Sequence, residues 1–168
     1  ELAAVRLLAP WFGASSGVWT NVIGVILLAL SVGYLAGARM SRTGDARKKL
    51  GRVLLFAALL TVWMPLGARP VAEFFLPSGL ALDEAAGLLV MGSLAAALVL
   101  FLPAAAMLGC IGPLAVEAVQ VARGGHAGDA GGRVLCASTV GSLIGTFGTT
   151  HLFLPSFGIN GTFLGASI

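Results

Sequence analysis

The sequence predicts an all-α fold, a polytopic bundle of about five to six transmembrane helices forming one domain over residues 1–168. Two observations carry this. Hydrophobic residues make up 58% of the chain and charged residues only 10%, with a mean hydropathy of +0.98, whereas a soluble domain carries about 25% charged residues. The stretch from Val18 to Ala38 is uncharged throughout, and at about 1.5 Å of rise per residue it covers the roughly 30 Å hydrocarbon layer of a bilayer.

The basic run after that stretch sets the orientation. Arg39, Arg42, Arg47, Lys48, Lys49 and Arg52 stand against the single acid Asp45, and such a cationic excess marks the cytoplasmic end of a span. The loop over 39–52 is therefore expected on the cytoplasmic side. Six of the ten basic residues lie in it, so the net charge of +3 reflects topology and anionic headgroups rather than nucleic-acid binding. Nucleic acid is not an expected partner.

Taken in order, Glu1 to Ala9 reads as the end of a helix that Pro10 closes, because the residue before a proline avoids helical geometry. Glu1 and Arg6 are ions in or near the membrane, which makes them candidate substrate-binding groups or paired, snorkelling side chains. Trp11, Phe12 and Trp19 suit an interface. Within the first full span Gly33-Tyr-Leu-Ala-Gly37 is a small-xxx-small pattern, which allows close helix approach, and Asn21 is placed for an interhelical hydrogen bond.

Val53 to Ala68 is the second expected span, kinked or ended at Pro65. Residues 69–84 form the connection, with Ser78 or Asp83 available to cap the next helix. Ala85 to Leu102 is the third span. Pro103 to Ala122 is a fourth apolar stretch broken by Pro103, Gly109, Gly112 and Pro113, either a crossing or a re-entrant or in-plane extension, and the breaks are either those of a substrate-lining helix or plain proline kinks. Glu117, four residues past Pro113, is the acid best placed to bind a substrate, or else a carboxylate at headgroup level.

The glycine-rich segment 124–132 reads as a flexible linker, since a nucleotide loop requires a preceding buried strand. Val134 to Phe153 is the fifth stretch, with Ser138, Gly141, Ser142, Gly145, Thr146 and Thr149 forming a close-packing face. A turn over 156–161 leads to another apolar run from Thr162. His151 is the one candidate cofactor ligand, because neutral imidazole binds haem iron or pigment magnesium, but it has no partner motif. No cofactor and no metal are predicted. Cys110 and Cys136, without Cys-x-x-Cys spacing, read as small buried hydrophobes.

Three pieces together resemble one family. Glu1, Arg6 and Pro10-Trp-Phe-Gly13, with Trp19 and the span ending at Gly37-Ala-Arg39, are similar to the amino-terminal membrane domain of the spermidine synthase-like membrane proteins, including those fused to a major-facilitator-type half. Leu102-Pro-Ala-Ala-Ala-Met-Leu-Gly109 with Pro113 resembles that family's proline-broken helix. Gly132-Arg-Val-Leu-Cys-Ala-Ser-Thr-Val-Gly141, followed by Phe153-Leu-Pro155 and Gly158, resembles the helix after it. The sequence departs from the pattern near 136–139, where a Tyr and an Asn-Thr belong. The resemblance implies a bacterial inner membrane and a soluble catalytic domain after the helices, whose acidic residues hold the amine and the aminopropyl donor. None of that constellation lies within these 168 residues, and with no Met at the start and apolar sequence at the end the chain reads as part of a longer polypeptide.

The function expected is accordingly a non-catalytic membrane module, an anchor or accessory subunit that packs against other membrane subunits or a soluble domain outside this sequence. Two alternatives stand beside it. One is a transporter-like half that binds a small cation such as a polyamine through Glu117 and Glu1. The other is the membrane portion of an aminopropyltransferase.

Overall fold

The computed structural model describes residues 2–76 and 85–167; Glu1 and the capping positions Ser78 and Asp83 lie outside them. The described chain is helical from end to end apart from short turns. Its elements are α1 (Leu2–Phe12), α2 (Ser16–Ser41), α3 (Ala46–Phe75), α4 (Ala85–Arg123), α5 (Ala127–Gly148), a π-helical turn (Thr149–Phe153) and α6 (Leu154–Ala166). Among the described residues α2, α3 and α4 are long and apolar enough to cross a membrane. This is a helical bundle of membrane type.

The starts of α2 and α3 have local causes. Ser15 starts α2, its hydroxyl accepting from the Val18 N–H at 3.4 Å. Asp45 starts α3, its carboxylate accepting from the N–H groups of Arg47 at 3.0 Å and Lys48 at 3.4 Å. Both are ordinary N-caps that satisfy donors the first helical turn leaves open. The buried positions of α2, namely Val18, Val22, Val25, Ile26, Ala29, Gly33 and Gly37, recur every three or four residues and define one face. Leu28 and Leu35 on the other side are 56% and 64% exposed, as lipid-facing side chains are.

The prolines do less than the sequence suggests. Pro10 sits within the last turn of α1, which runs on to Phe12. Pro65 and Pro70 both lie inside α3, which continues to Phe75 instead of ending near Ala68. Most consequentially, the third and fourth apolar stretches are one helix: α4 passes through Pro103 and Pro113 without a break. A proline forfeits one hydrogen bond, and packing against neighbouring helices maintains the helix around it. At 39 residues α4 is about 58 Å long, nearly twice the apolar layer. The chain therefore does not reverse at Pro103, and the third and fourth stretches form one of the three helices that, among the described residues, are long and apolar enough to cross a membrane.

The segment after α4 also differs from the expected linker. Only Gly124, Gly125 and His126 lie outside helix. The His126 carbonyl accepts from the Asp129 and Ala130 N–H groups, and Arg133 Nε donates to Asp129 across one turn at 3.0 Å. Asp129 in the first turn favours the helix dipole, and the Asp–Arg pair at i,i+4 adds to it. Toward the end of the chain the expected turn over 156–161 contracts to a single kink at Gly158, whose φ of +66° suits glycine.

α4 is the central element. α2 and α3 are joined by a tight turn yet scarcely touch, because α4 lies between them. Asn21 meets Val90 and Ser93, and Gly33 and Gly37 meet Ala106 to Cys110, so α2 and α4 run parallel. Gly92 approaches Phe75, Gly67 approaches Leu100, and Val53 packs with Cys110 and Leu114, so α3 and α4 run antiparallel. It follows that the C-terminus of α4 emerges at the end of the bundle that carries the α2–α3 turn.

Candidate functional site

Two places in the bundle are distinctive: a cleft at mid-height and the basic end. The cleft has a volume of about 700 Å³. Ile26 and Leu30 of α2, Met64 of α3, and Phe101 and Leu108 of α4 form its apolar wall. Facing them are Ser142, Gly145, Thr146 and Thr149, which helical periodicity places on one side of α5 and the π turn. Thr61 and Thr162 also line it, and their hydroxyls already donate to the carbonyls of Ala57 at 2.8 Å and Gly158 at 2.7 Å. No lining residue is ionisable. The cleft therefore offers hydroxyls and apolar surface, and no charge to hold an ion.

The cleft exists because α5 stands away from the rest. Every residue from Leu135 to Phe147 is exposed, and Ala130 is the buried residue of the helix. A methyl added at Gly141 or Gly145 would meet no atom within 4 Å. The contrast with α2 is sharp. A methyl at Gly37 would lie 2.7 Å from the Cys110 carbonyl oxygen, one at Gly109 would lie 2.7 Å from that of Leu30, and one at Gly33 would overlap the Ala106 carbonyl. So Gly33 and Gly37 of α2 are consumed by contact with α4, and Gly141 and Gly145 of α5 are not.

The remaining candidates are scattered. Arg6 is exposed on α1, whose apolar face joins the cluster containing Phe101 and Ala104. Glu117 is half-buried on α4, about 20 Å of helical rise beyond Ala104. The two are not brought together. Glu117 shares a face with Cys110 and Leu114, the side of α4 turned to the α2–α3 hairpin, and among the described residues it has no ion pair. His151 is exposed in the π turn and stacks on Phe147, with ring centroids 6.1 Å apart. Cys110 is buried and its thiol contacts the Ala106 carbonyl at 3.3 Å. Cys136, expected to be buried, is exposed on α5. Among the described residues no three His, Cys, Asp or Glu side chains gather in a group able to hold a metal.

Asn21 makes the interhelical contact its position suggested. Its side-chain amide donates to the Val90 carbonyl at 2.7 Å and to Ser93 Oγ at 2.9 Å, and Ser93 in turn donates to Val90 at 2.8 Å. The residue that sequence reasoning missed is Gly109. It looked like a helix breaker, yet it is the counterpart into which Gly33 and Leu30 fit, and only the pairing of α2 with α4 reveals that.

Comparison of the chain with protein-family models, with curated proteins and with solved structures finds no match.

Proposed function

We propose that this chain is a non-catalytic integral-membrane module, an anchor or scaffold that receives a transmembrane helix of another subunit or domain against α5. The observation that carries the reading is the unequal use of small residues. α2 and α4 approach until backbone meets backbone, whereas a methyl added at Gly141 or Gly145 of α5 would meet no atom within 4 Å, and Ser138 and Ser142 beside them are exposed. In a bilayer such stripes permit close van der Waals packing and interhelical hydrogen bonds, the main attractions available where no hydrophobic force operates. A cation-carrying role has less support, since the cleft at mid-height is lined by no carboxylate and Glu117 lies at the basic end.

The test separates folding from docking. Gly141→Leu with Gly145→Leu should not lower the thermal stability of the purified chain, because a Cβ at either position meets no atom within 4 Å and leucine favours the helix over glycine. The same pair should abolish the larger assembly seen by blue-native electrophoresis of gently solubilised membranes. A lone monomer in native membranes, or an assembly indifferent to both substitutions, would sink the reading.

A further inference from the structure

We propose that the end of the bundle formed by the α2–α3 turn and the C-terminus of α4 is a binding site for the phosphate headgroups of anionic phospholipids. The turn first accounts for its own polar groups. Lys49 Nζ donates to the Met40 carbonyl at 2.7 Å, to Thr43 Oγ1 at 2.8 Å and to the Thr43 carbonyl, so it closes the C-terminus of α2. Lys48 lies 3.8 Å from Asp45, which itself caps α3. Lys49 is thus engaged within the turn, and Lys48 keeps only a solvent-exposed contact with Asp45.

The other basic residues at this end are arginines. Arg39, Arg42, Arg47 and Arg52 are exposed, and none takes part in an ion pair among the described residues. Because α4 runs parallel to α2, exposed Arg123 emerges at the same end. Five guanidinium groups are thereby collected where the apolar faces of the long helices stop. The acids near this end are Asp45, which caps α3, the half-buried Glu117, and Asp129 at the start of α5, which is paired with Arg133; Glu73 of α3 lies at the opposite end, paired with Arg69. Arginine presents a planar fork that binds phosphate oxygens in pairs, a geometry that lysine lacks. Immediately inward lie Met40, Leu50, Met107 and Ile111, half-buried around Val53, Cys110 and Leu114. An anion held here therefore sits above apolar surface, as a lipid phosphate sits above its acyl chains. That layering favours a phospholipid over a soluble phosphate or an acidic protein surface.

The experiment uses the intact chain, purified in neutral detergent and titrated with phosphatidylglycerol or phosphatidylcholine while bound lipid is counted by native mass spectrometry and thermal stability is followed. Phosphatidylglycerol should bind preferentially and raise the midpoint, with an effect that shrinks as salt is added. Its apparent affinity should fall roughly fivefold for each arginine replaced in Arg39→Gln, Arg42→Gln, Arg47→Gln and Arg52→Gln. Because removing all four also alters the topogenic charge, the wild-type comparison decides by itself. Equal binding of the two lipids overturns the proposal, as does equal stabilisation by soluble glycerol phosphate. Retained preference in the stably purified fourfold variant overturns it too.

Discussion

At Gly33 the backbone of α2 comes so near α4 that a side chain cannot fit without moving a helix. The obstacles are the Ala106 carbonyl and, at 2.8 Å, the Gly109 Cα, and backbone cannot swing aside as a flexible side chain can. Gly33→Ala should therefore cost about 1–3 kcal/mol in a thermal or denaturant unfolding measurement on the purified chain. Gly24, on the same helix, has nothing within 4 Å of its missing methyl, so Gly24→Ala should be neutral or stabilising by up to about 1 kcal/mol. Asn21→Ala removes two hydrogen bonds to α4 and should cost about 0.6–1.7 kcal/mol. A double-mutant cycle with Ser93→Ala isolates the part of that loss belonging to the Asn21–Ser93 bond. The spacing of Gly33 and Gly37 could be read from the chain, but the role of Gly109 could not, since a glycine lying between two prolines looks the same whether it breaks a helix or admits a neighbour.

Whole elements were legible where apolarity alone defines them and illegible where a proline intervenes. The all-helical class and the run of α2 follow from composition and from one uninterrupted uncharged stretch. The continuity of α4 does not, because local propensity at Pro103 and Pro113 argues for ends, and only burial of Ala96, Leu100, Phe101, Ala104 and Cys110 between α2 and α3 overrides it. This difference is measurable. With Cys110 and Cys136 replaced by serine, spin labels at the exposed positions Met91 and Val121 should lie about 45 Å apart along a continuous helix. A hairpin at Pro103 would instead fold the two labels back to within about 25 Å, less than the thickness of the apolar layer.

For the molecule as a whole, the parallel course of α2 and α4 has one consequence that outranks the rest: the turn at 42–45 and the turn at 124–126 share an end of the bundle. The sequence left this open, because a fourth crossing would have placed the second turn on the opposite side, and two arginines flanking it weigh little. The fold closes the question geometrically, since Leu114 already packs beside Met40 and Leu50 and α4 continues about 14 Å beyond it to Arg123. Single cysteines at Thr43 and Gly125, both exposed, placed in a chain lacking its native cysteines, should then react with a membrane-impermeant maleimide from the same side of sealed vesicles. A third cysteine at exposed Ala14, in the turn between α1 and α2, should react from the other. Labelling of positions 43 and 125 from opposite sides would mean that the chain crosses once more between them, and the helix-on-helix register from Asn21 to Leu114 would have to be abandoned with it.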